Sequence, residues 1–543
     1  MRLLLFAFLL VPATLAQPAP RPSLDGLGIE VTKEASRPFV YTDKEAGVFY
    51  AEGAGPQTTA WQGFSVRGVT FVDDWAWTEG RTRRTAQHLE SARVHPHEAV
   101  RRYAGGLRET VVLLEGPASA LVVVPAGERP TVFEPLVADR REASAFEVRA
   151  DRDVLLIAHR SALERPAEGG EAPPVWLAVT APRARAEVRR ALVETGGVDG
   201  ALFAPGRLVL RGSGAVAMAT GPTPEAAATR ARNAARDHER LRAQRKARME
   251  ALLARTYVET EDTRFNRALA WARLSLDALV MNQHGRGIFA GLPWFNNYWG
   301  RDSFISLAGA SLVTGQWEEA AEILDSFARY QDTDRDSPTY GRIPNQVSLT
   351  GVSYNTADGT PWFVIQADAL RRRWANDAFR ERFWPIVEHA ARGALRRTDD
   401  EGFLKHGDQE TWMDASAGPG REWSPRGDRA IEVQGLFYEQ LRATEAWFQT
   451  MGYRSGTQGY GLRAERLREA FERRFRDART GTYFDHLNED GTPDPQVRPN
   501  VFFALHSFGL DSTAAGVTRD LAAQLVYPWG VASLAQSDSN FHP

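Results

Sequence analysis

Three loop clusters concentrate the residues able to do chemistry. The first reads Gly291-Leu292-Pro293-Trp294-Phe295-Asn296-Asn297-Tyr298-Trp299-Gly300-Arg301-Asp302. Rings such as Trp294 and Trp299 offer flat apolar faces for stacking on a sugar, and Arg301 beside Asp302 offers a donor fork and an acceptor for vicinal hydroxyls. The competing reading makes the aromatics core plugs and Asp302 the cap of the helix that follows. The second cluster joins Gly341-Arg342-Ile343-Pro344-Asn345 to Tyr354-Asn355-Thr356-Ala357-Asp358-Gly359-Thr360-Pro361-Trp362. Its candidates are Asn345, Tyr354, Asp358 and Trp362, with Asp358 also placed to cap a helix. The third runs from His406 to Asp414 and continues through Pro425-Arg426-Gly427-Asp428-Arg429-Ala430-Ile431-Glu432-Val433-Gln434. A carboxylate beside Trp412 and Met413 is expected in a poorly solvated setting that raises its pKa, as a general acid requires. Asp408 and Glu410 are the alternatives on the same loop.

Other chemistries are removed by what the chain lacks. It has no cysteine, so disulfides, thiolate metal sites and thiol nucleophiles are excluded. Its 11 histidines are scattered apart from His95-Pro96-His97, which reads as a turn, and no HExxH metal motif, glycine-rich phosphate loop or GxSxG elbow occurs. The formal charge of -3, from 66 basic and 69 acidic residues, supplies no field to attract nucleic acid or an anionic membrane. Carboxylate and aromatic chemistry on a neutral partner remains, without metal or cofactor.

The elements that must position these clusters fall into two halves, since 543 residues exceed what one core supports. Met1-Arg2, an apolar run from Leu3 to Val11, and Ala13-Thr14-Leu15-Ala16 before Gln17 match a signal peptide, residues 1–16, which implies export. Residues 17–222 hold short apolar or alternating runs broken by turn residues, including Gly63 to Val72, Glu109 to Leu114, Val154 to Ala158 and Arg207 to Met218, and predict a β-sandwich-like domain. Thr223-Pro224-Glu225 opens a helix rich in Ala, Arg and Glu across 223–257, expected to be a solvated linker. From 258 to 543, nine helical segments joined by long loops are expected: Thr263 to Met281, Asp302 to Val313, Trp317 to Tyr330, Pro361 to Trp374, Ala378 to Arg397, Asp428 to Thr450, Leu462 to Arg476, Arg498 to Phe508 and Thr513 to Leu525. Phe265, Leu269, Ala272, Leu276 and Leu279 form the apolar stripe predicted for the first.

Taken in order, the Leu-Pro-Trp-Phe…Trp-Gly-Arg-Asp-Ser, Gly-Arg-Ile-Pro-Asn, Tyr-Asn-Thr-Ala-Asp…Pro-Trp and Thr-Trp-Met-Asp…Pro-Arg…Ile-Glu-x-Gln blocks resemble the amylo-α-1,6-glucosidase domain of glycogen debranching enzymes. The resemblance implies an all-α (α/α)6 toroid, a six-hairpin glycosidase fold, after the β-rich domain. It implies inverting hydrolysis of terminal α-1,6-linked glucose on an oligosaccharide or branched α-glucan. By matching motif, Arg301 and Asp302 hold the terminal glucose, and Asp414 is the general acid. Asn345, Tyr354, Asp358, Trp362, Trp412 and Glu432 line the pocket, with Trp294 and Trp299 as stacking faces. An inverting pair needs its second carboxylate roughly 6.5–9.5 Å from the first. The chain stops at Pro543 before the family's His-Asn-Gly-Thr-x-Trp segment and later glutamate, so an incomplete toroid is expected, with the base beyond Pro543 and Glu432 only a substitute. Alternatives are another α-linkage, such as trehalose or mannosylglycerate, and a secreted non-catalytic sugar-binding protein.

Overall fold

The computed structural model describes residues 23–116, 119–127, 129–138, 146–159, 175–212, 214–348, 351–418, 421–453, 459–510 and 514–542. The expected signal peptide lies outside them. An N-terminal β-rich region of several sheets precedes a helical C-terminal region.

The largest sheet is antiparallel and nine-stranded, in the order Ile29–Thr32, Leu89–Val94, Ala99–Tyr103, Arg108–Leu114, Ala120–Ala126, Val216–Gly221, Trp176–Thr180, Val154–His159, Phe146–Asp151. Its central strands, Ala120–Ala126, Val216–Gly221, Trp176–Thr180 and Val154–His159, read as largely apolar runs because both faces are covered, while the outer strands mix charged and apolar residues. Val111 and Leu113 pack with Trp75, Trp77, Phe133 and Phe49 of the smaller sheets, whereas Val112 and Leu114 on the opposite pleat meet a helix. That helix is α1, Pro224–Arg255, capped by the Thr223 hydroxyl, which accepts from the Ala226 amide at 3.2 Å. Ala227, Ala231, Ala234 and Ala235 form its buried face. The expectation of a solvated helix is therefore corrected. Alanine carries too little hydrophobicity to mark a stripe, yet its small side chain lets the helix lie close on the sheet.

Two predicted strands divide. Gly63 to Val72 is a hairpin of Gly63–Val66 and Val69–Val72, turned at Arg67-Gly68, both with positive φ, as a two-residue hairpin turn demands. Arg207 to Met218 spans the end of Ala201–Val209 and the start of Val216–Gly221, which lie in different sheets. His95-Pro96-His97 is the expected turn, closed by the His95 amide on the Glu98 carbonyl at 2.8 Å.

The helical region contains α2 Thr263–Leu279, α3 Gly300–Leu307, α4 Trp317–Ala328, α5 Gly359–Arg373, α6 Asp377–Leu395, α7 Ile431–Thr450, α8 Tyr460–Arg474, α9 Asn500–Ser507 and α10 Ala515–Leu525. Two expected boundaries shift where short strands intrude. Val280–Met281 pairs with Gly287–Ile288 and ends α2, and Arg429–Ala430 pairs with His486–Leu487 and delays α7 to Ile431. The stripe predicted for α2 holds only at Leu276 and Leu279, which pack against the core of the helical region, and is corrected elsewhere. Phe265 is half exposed and Ala272 exposed, while Leu274 and Asp277 are the buried positions. Its buried side faces α1 and the β-rich region, where Asp277 is held by Lys44 at 3.2 Å and Arg248 at 2.7 Å. Ion pairing there overrides the apolar period.

Alternate helices α3, α5, α7 and α9 pack side by side in sequence, and α4, α6, α8 and α10 follow each of them. Gly435 in α7 sits 3.0 Å, as an added Cβ would, from the Ala504 backbone of α9, so a larger residue would force the pair apart.

Candidate active site

The candidate residues cluster at the starts of α3, α5, α7 and α9. Arg301 and Asp302 lie in the first turn of α3, Asp358 directly precedes α5, Glu432 is the second residue of α7, and Asn500 opens α9. Helix N-termini carry unpaired amides and partial positive charge, a setting that favours carboxylates. Gly300 is required sterically at the first junction: a Cβ there would lie 2.4 Å from the Pro344 carbonyl, and its amide bonds the Asn345 carbonyl at 2.5 Å.

Arg301 is the hub. Its Nε donates to both oxygens of Asp358, at 2.9 and 2.8 Å, and its Nη1 donates to Asp414 Oδ2 at 2.9 Å. Its Nη2 reaches the Glu410 carbonyl at 3.3 Å, and its amide donates to Asn345 Oδ1 at 3.2 Å. In this array the donor fork of Arg301 is engaged by Asp358 and Asp414. The Asp302 carboxylate meets only its own backbone amide, with no hydrogen bond to another side chain and no ion pair among the described residues, and the residue is half-buried. Burial lifts its carboxyl above the ordinary range, opposed by Arg301 and reinforced by Asp414. Burial also pushes Asp358 up to about 6 against the pull of Arg301, with Glu432 adding to the rise.

Asp414 differs from its expected setting. Its side chain is 42% exposed and rests on Arg301, so the neighbouring Trp412 and Met413 do not enclose it. Its two rival carboxylates are committed elsewhere. Glu410 is paired with Arg342 and accepts from the Gly407 amide at 3.0 Å, and Asp408 accepts from the Arg426 amide at 2.8 Å. Glu432 is buried with both oxygens on Arg426, at 2.9 and 2.7 Å. A substitute base needs a free lone pair facing water, and Glu432 has each oxygen engaged.

The aromatics divide. Trp412 is 44% exposed, with its indole N–H donating to Asn500 Oδ1 at 2.9 Å. Trp362 meets Phe503 of α9 edge-on at 5.3 Å. Trp294 is exposed, and Trp299, next to Gly300, donates to Asn297 Oδ1 at 2.7 Å. The Tyr354 hydroxyl is directed to the Tyr330 carbonyl at 2.5 Å, away from the Arg301 array. The structure thus joins Arg301, Asn345, Asp358 and Asp414 by direct bonds, and Glu432 and Trp412 through Arg426 and Asn500.

Four participants escaped the reading of the sequence. Arg426, fully buried, binds Glu432 and, through Nε at 2.8 Å, Asp485; Asn500 links Asp485 to Trp412; Arg342 anchors Glu410. Arg426 stood within a quoted block, as Arg342 did, but nothing local marks Asp485. A polar depression of about 900 Å³ bordered by Lys405, Asp408, Asp428 and Glu489 adjoins this loop, yet it includes none of Arg301, Asp358, Asp414 or Glu432, and Asp428 is neutralised there by Lys405 and Arg429. It is not the chemical centre.

Carboxylates gathered on arginine at aligned helix starts, beneath partly exposed indoles, form the kind of site found in glycoside hydrolases. Residues 259–543, more than half of the chain, match the amylo-alpha-1,6-glucosidase family model, and the chain belongs to that family. It is 25% identical over 379 residues to a glycogen debranching enzyme of Saccharomyces cerevisiae, covering 50% of this chain and 24% of that one. It is 25% identical over 297 residues to a periplasmic trehalase of Pseudomonas aeruginosa, covering 44% of this chain and 52% of that one. The chain therefore spans about a quarter and about half of the length of these curated relatives. In fold it is similar to a bacterial glucoamylase solved with acarbose, with a TM-score of 0.52 at 12% identity over 86% of this chain and 72% of that chain. Among the described residues no helix is long and apolar enough to cross a membrane.

Proposed function

We propose that the chain is an exo-acting hydrolase that removes terminal α-1,6-linked glucose from branched glucans with inversion, using the helices of an (α/α)6-type toroid within 258–543 behind a β-rich domain at 17–222 and the helix of 223–257. The observation that carries this reading is the Arg301 hub. It holds Asp358, at the start of α5, together with Asp414 of the 411–418 loop, leaving Asp414 partly exposed and Asp302 to accept from sugar hydroxyls. Asp414 is the general acid that protonates the leaving oxygen, Arg301 fixes its position, and a second carboxylate, not assigned among the described residues, takes the proton of the attacking water. Asp302 binds hydroxyls of the terminal glucose, with Asn345, Asp358 and Glu432 shaping the cavity floor and Tyr354, Trp362, Trp294, Trp299 and Trp412 its rim. Export to the periplasm or beyond, from a signal peptide at 1–16, belongs to the same proposal.

Glucose release from isomaltose and from a branched limit dextrin, followed across about pH 4 to 8 where a carboxylic acid works, tests it. The first-formed glucose should be the β anomer by polarimetry. No release from either substrate, or release of the α anomer, sinks the reading. A second substrate is favoured by one finding, the likeness to a periplasmic trehalase. Both sugars present an α-linked terminal glucose, so the comparison that separates them is kcat/KM on trehalose against isomaltose under one set of conditions.

A further inference from the structure

Trp412 and Met413 immediately precede Asp414, and both are gripped by one residue that no motif assigned. Asn500 Oδ1 accepts the Trp412 indole N–H at 2.9 Å, and Asn500 Nδ2 lies 3.6 Å from Met413 Sδ. The same Nδ2 donates to Asp485 Oδ1 at 2.9 Å. An indole N–H only donates and a carboxylate only accepts, so these two partners lock the amide in a single orientation. Asp485 is itself locked. Its other oxygen accepts from Arg426 Nε at 2.8 Å and lies 3.1 Å from His486 Nδ1, and its side chain is 1% exposed. Burial alone would raise its carboxyl, but Arg426, His486 and Asn500 outweigh it and hold the group below the usual carboxylate range. Arg426 then carries Glu432 on its remaining nitrogens.

We infer that Asp485 and Asn500 form a positioning pair that orients the Trp412 ring and the Trp412-Met413-Asp414 segment over the cavity. Neither residue touches substrate in this scheme; they act through Trp412. The alternative to this role is an ordinary buried network with no leverage on the ring. The two differ in one respect: only a positioning pair lets a change at Asp485, which does not contact Trp412, reach the indole by way of Asn500, since the second path through Arg498, 3.8 Å from Asp485 and 4.0 Å from Met413 Sδ, ends on Met413 and not on the ring. The consequence for catalysis rests on the hydrolase reading, whereas the consequence for the ring does not.

The test uses the full chain with ¹⁵N-labelled indoles, the Trp412 resonance being assigned by its loss in Trp412→Phe. Asn500→Ala should move that resonance upfield, as a lost hydrogen bond does. Asp485→Asn, isosteric but neutral, should also move it, and should add nothing in an Asn500→Ala background. On isomaltose, Asn500→Ala should lower kcat/KM by about ten-fold or more, and Trp412→Phe should cost little further on top of it, since residues acting as one unit are non-additive. An indole resonance unmoved by Asn500→Ala, or shifts and rate losses that add independently, overturns the inference. Should Asn500→Ala fail to fold, Asp485→Asn decides alone, and an unmoved indole is fatal. If the unaltered chain neither binds nor cleaves isomaltose, the proposed activity fails, and the indole shifts still settle the positioning pair.

Discussion

The same residue types build two clusters in this chain, one in each region. In the β-rich region Glu109 is fully buried and accepts from the indoles of Trp75 and Trp77 at 2.9 and 2.6 Å, from Arg101 Nε at 2.6 Å and from the Tyr103 hydroxyl at 2.9 Å. In the helical region Arg301 gathers Asp358 and Asp414 beside Trp412. Arginine, carboxylate and indole are common to both. The first cluster is closed: every ring around Glu109 is buried, with the Arg101 guanidinium stacked 4.6 Å from Trp75. The second is open on one side, with Asp414 and Trp412 each about two-fifths exposed. A sealed cluster has all its hydrogen-bonding capacity spent on itself and can only stabilise. An open one keeps capacity for a ligand, and the same pairing becomes a way to aim it.

The largest expected effect breaks the open cluster. Asp414→Asn keeps shape and an acceptor for Arg301 but has no acidic proton to give, so glucose release from isomaltose should fall by about 10²–10⁴-fold, the usual contribution of general acid catalysis. Because the pair is partly exposed, unfolding should shift by at most about 1 kcal/mol, and isomaltose binding by calorimetry should stay within a few-fold. Retained turnover reassigns the acid; a collapse in stability would make Asp414 structural.

The converse substitution breaks the closed cluster. Glu109→Gln leaves the buried Arg101 guanidinium without its counter-charge and turns an amide N–H toward donors, which should cost about 3–5 kcal/mol in denaturant unfolding. Turnover of the fraction that remains folded should match the unaltered chain. If Glu109→Gln instead abolished activity at unchanged stability, the contrast between the two clusters would be wrong.

How much of this was readable beforehand depends on how far apart in the chain the partners lie. The helices announced themselves because an apolar period is written within each segment, and the starts of α3, α5 and α7 carried local signatures in Gly300-Arg301-Asp302, Asp358-Gly359 and Ile431-Glu432. The site's hub could be named for the same reason. Its pairings could not, although Asp358 and Asp414 were themselves candidates: Arg301 meets Asp358 across 57 residues and Asp414 across 113, and Arg426 meets Asp485 across 59. Pairing at that range is set by helix packing, which no window of sequence contains. The solvation of Asp414 was misjudged for a related reason, since apolar neighbours in sequence do not guarantee apolar neighbours in space. Burial of α1 was missed because four alanines on one face contribute little to any hydrophobic periodicity while fitting closely against Val112 and Leu114.

The last effect concerns a carboxyl beside the closed cluster and sharpens what closure means. Asp74 is buried, one of its oxygens finds no hydrogen-bond partner, and burial pushes its carboxyl up to about 7 despite Arg101 nearby. Glu109 occupies the guanidinium, so Asp74 is left to meet its burial by holding a proton. In the unfolded chain an aspartate titrates near 3.9, so folding takes up a proton between about pH 4 and about 7. The native state binds more protons than the unfolded one over that window. Stability from this group is therefore complete below about pH 4, declines as pH rises through about 7, and is flat beyond it. Asp74→Asn has nearly the same shape and no proton to lose. Denaturant midpoints of the two proteins should run together near pH 4 and diverge toward pH 8, with the asparagine form the more stable there. Parallel curves would mean that Asp74 shares the Arg101 charge, and that the closed cluster has room for a second carboxylate after all.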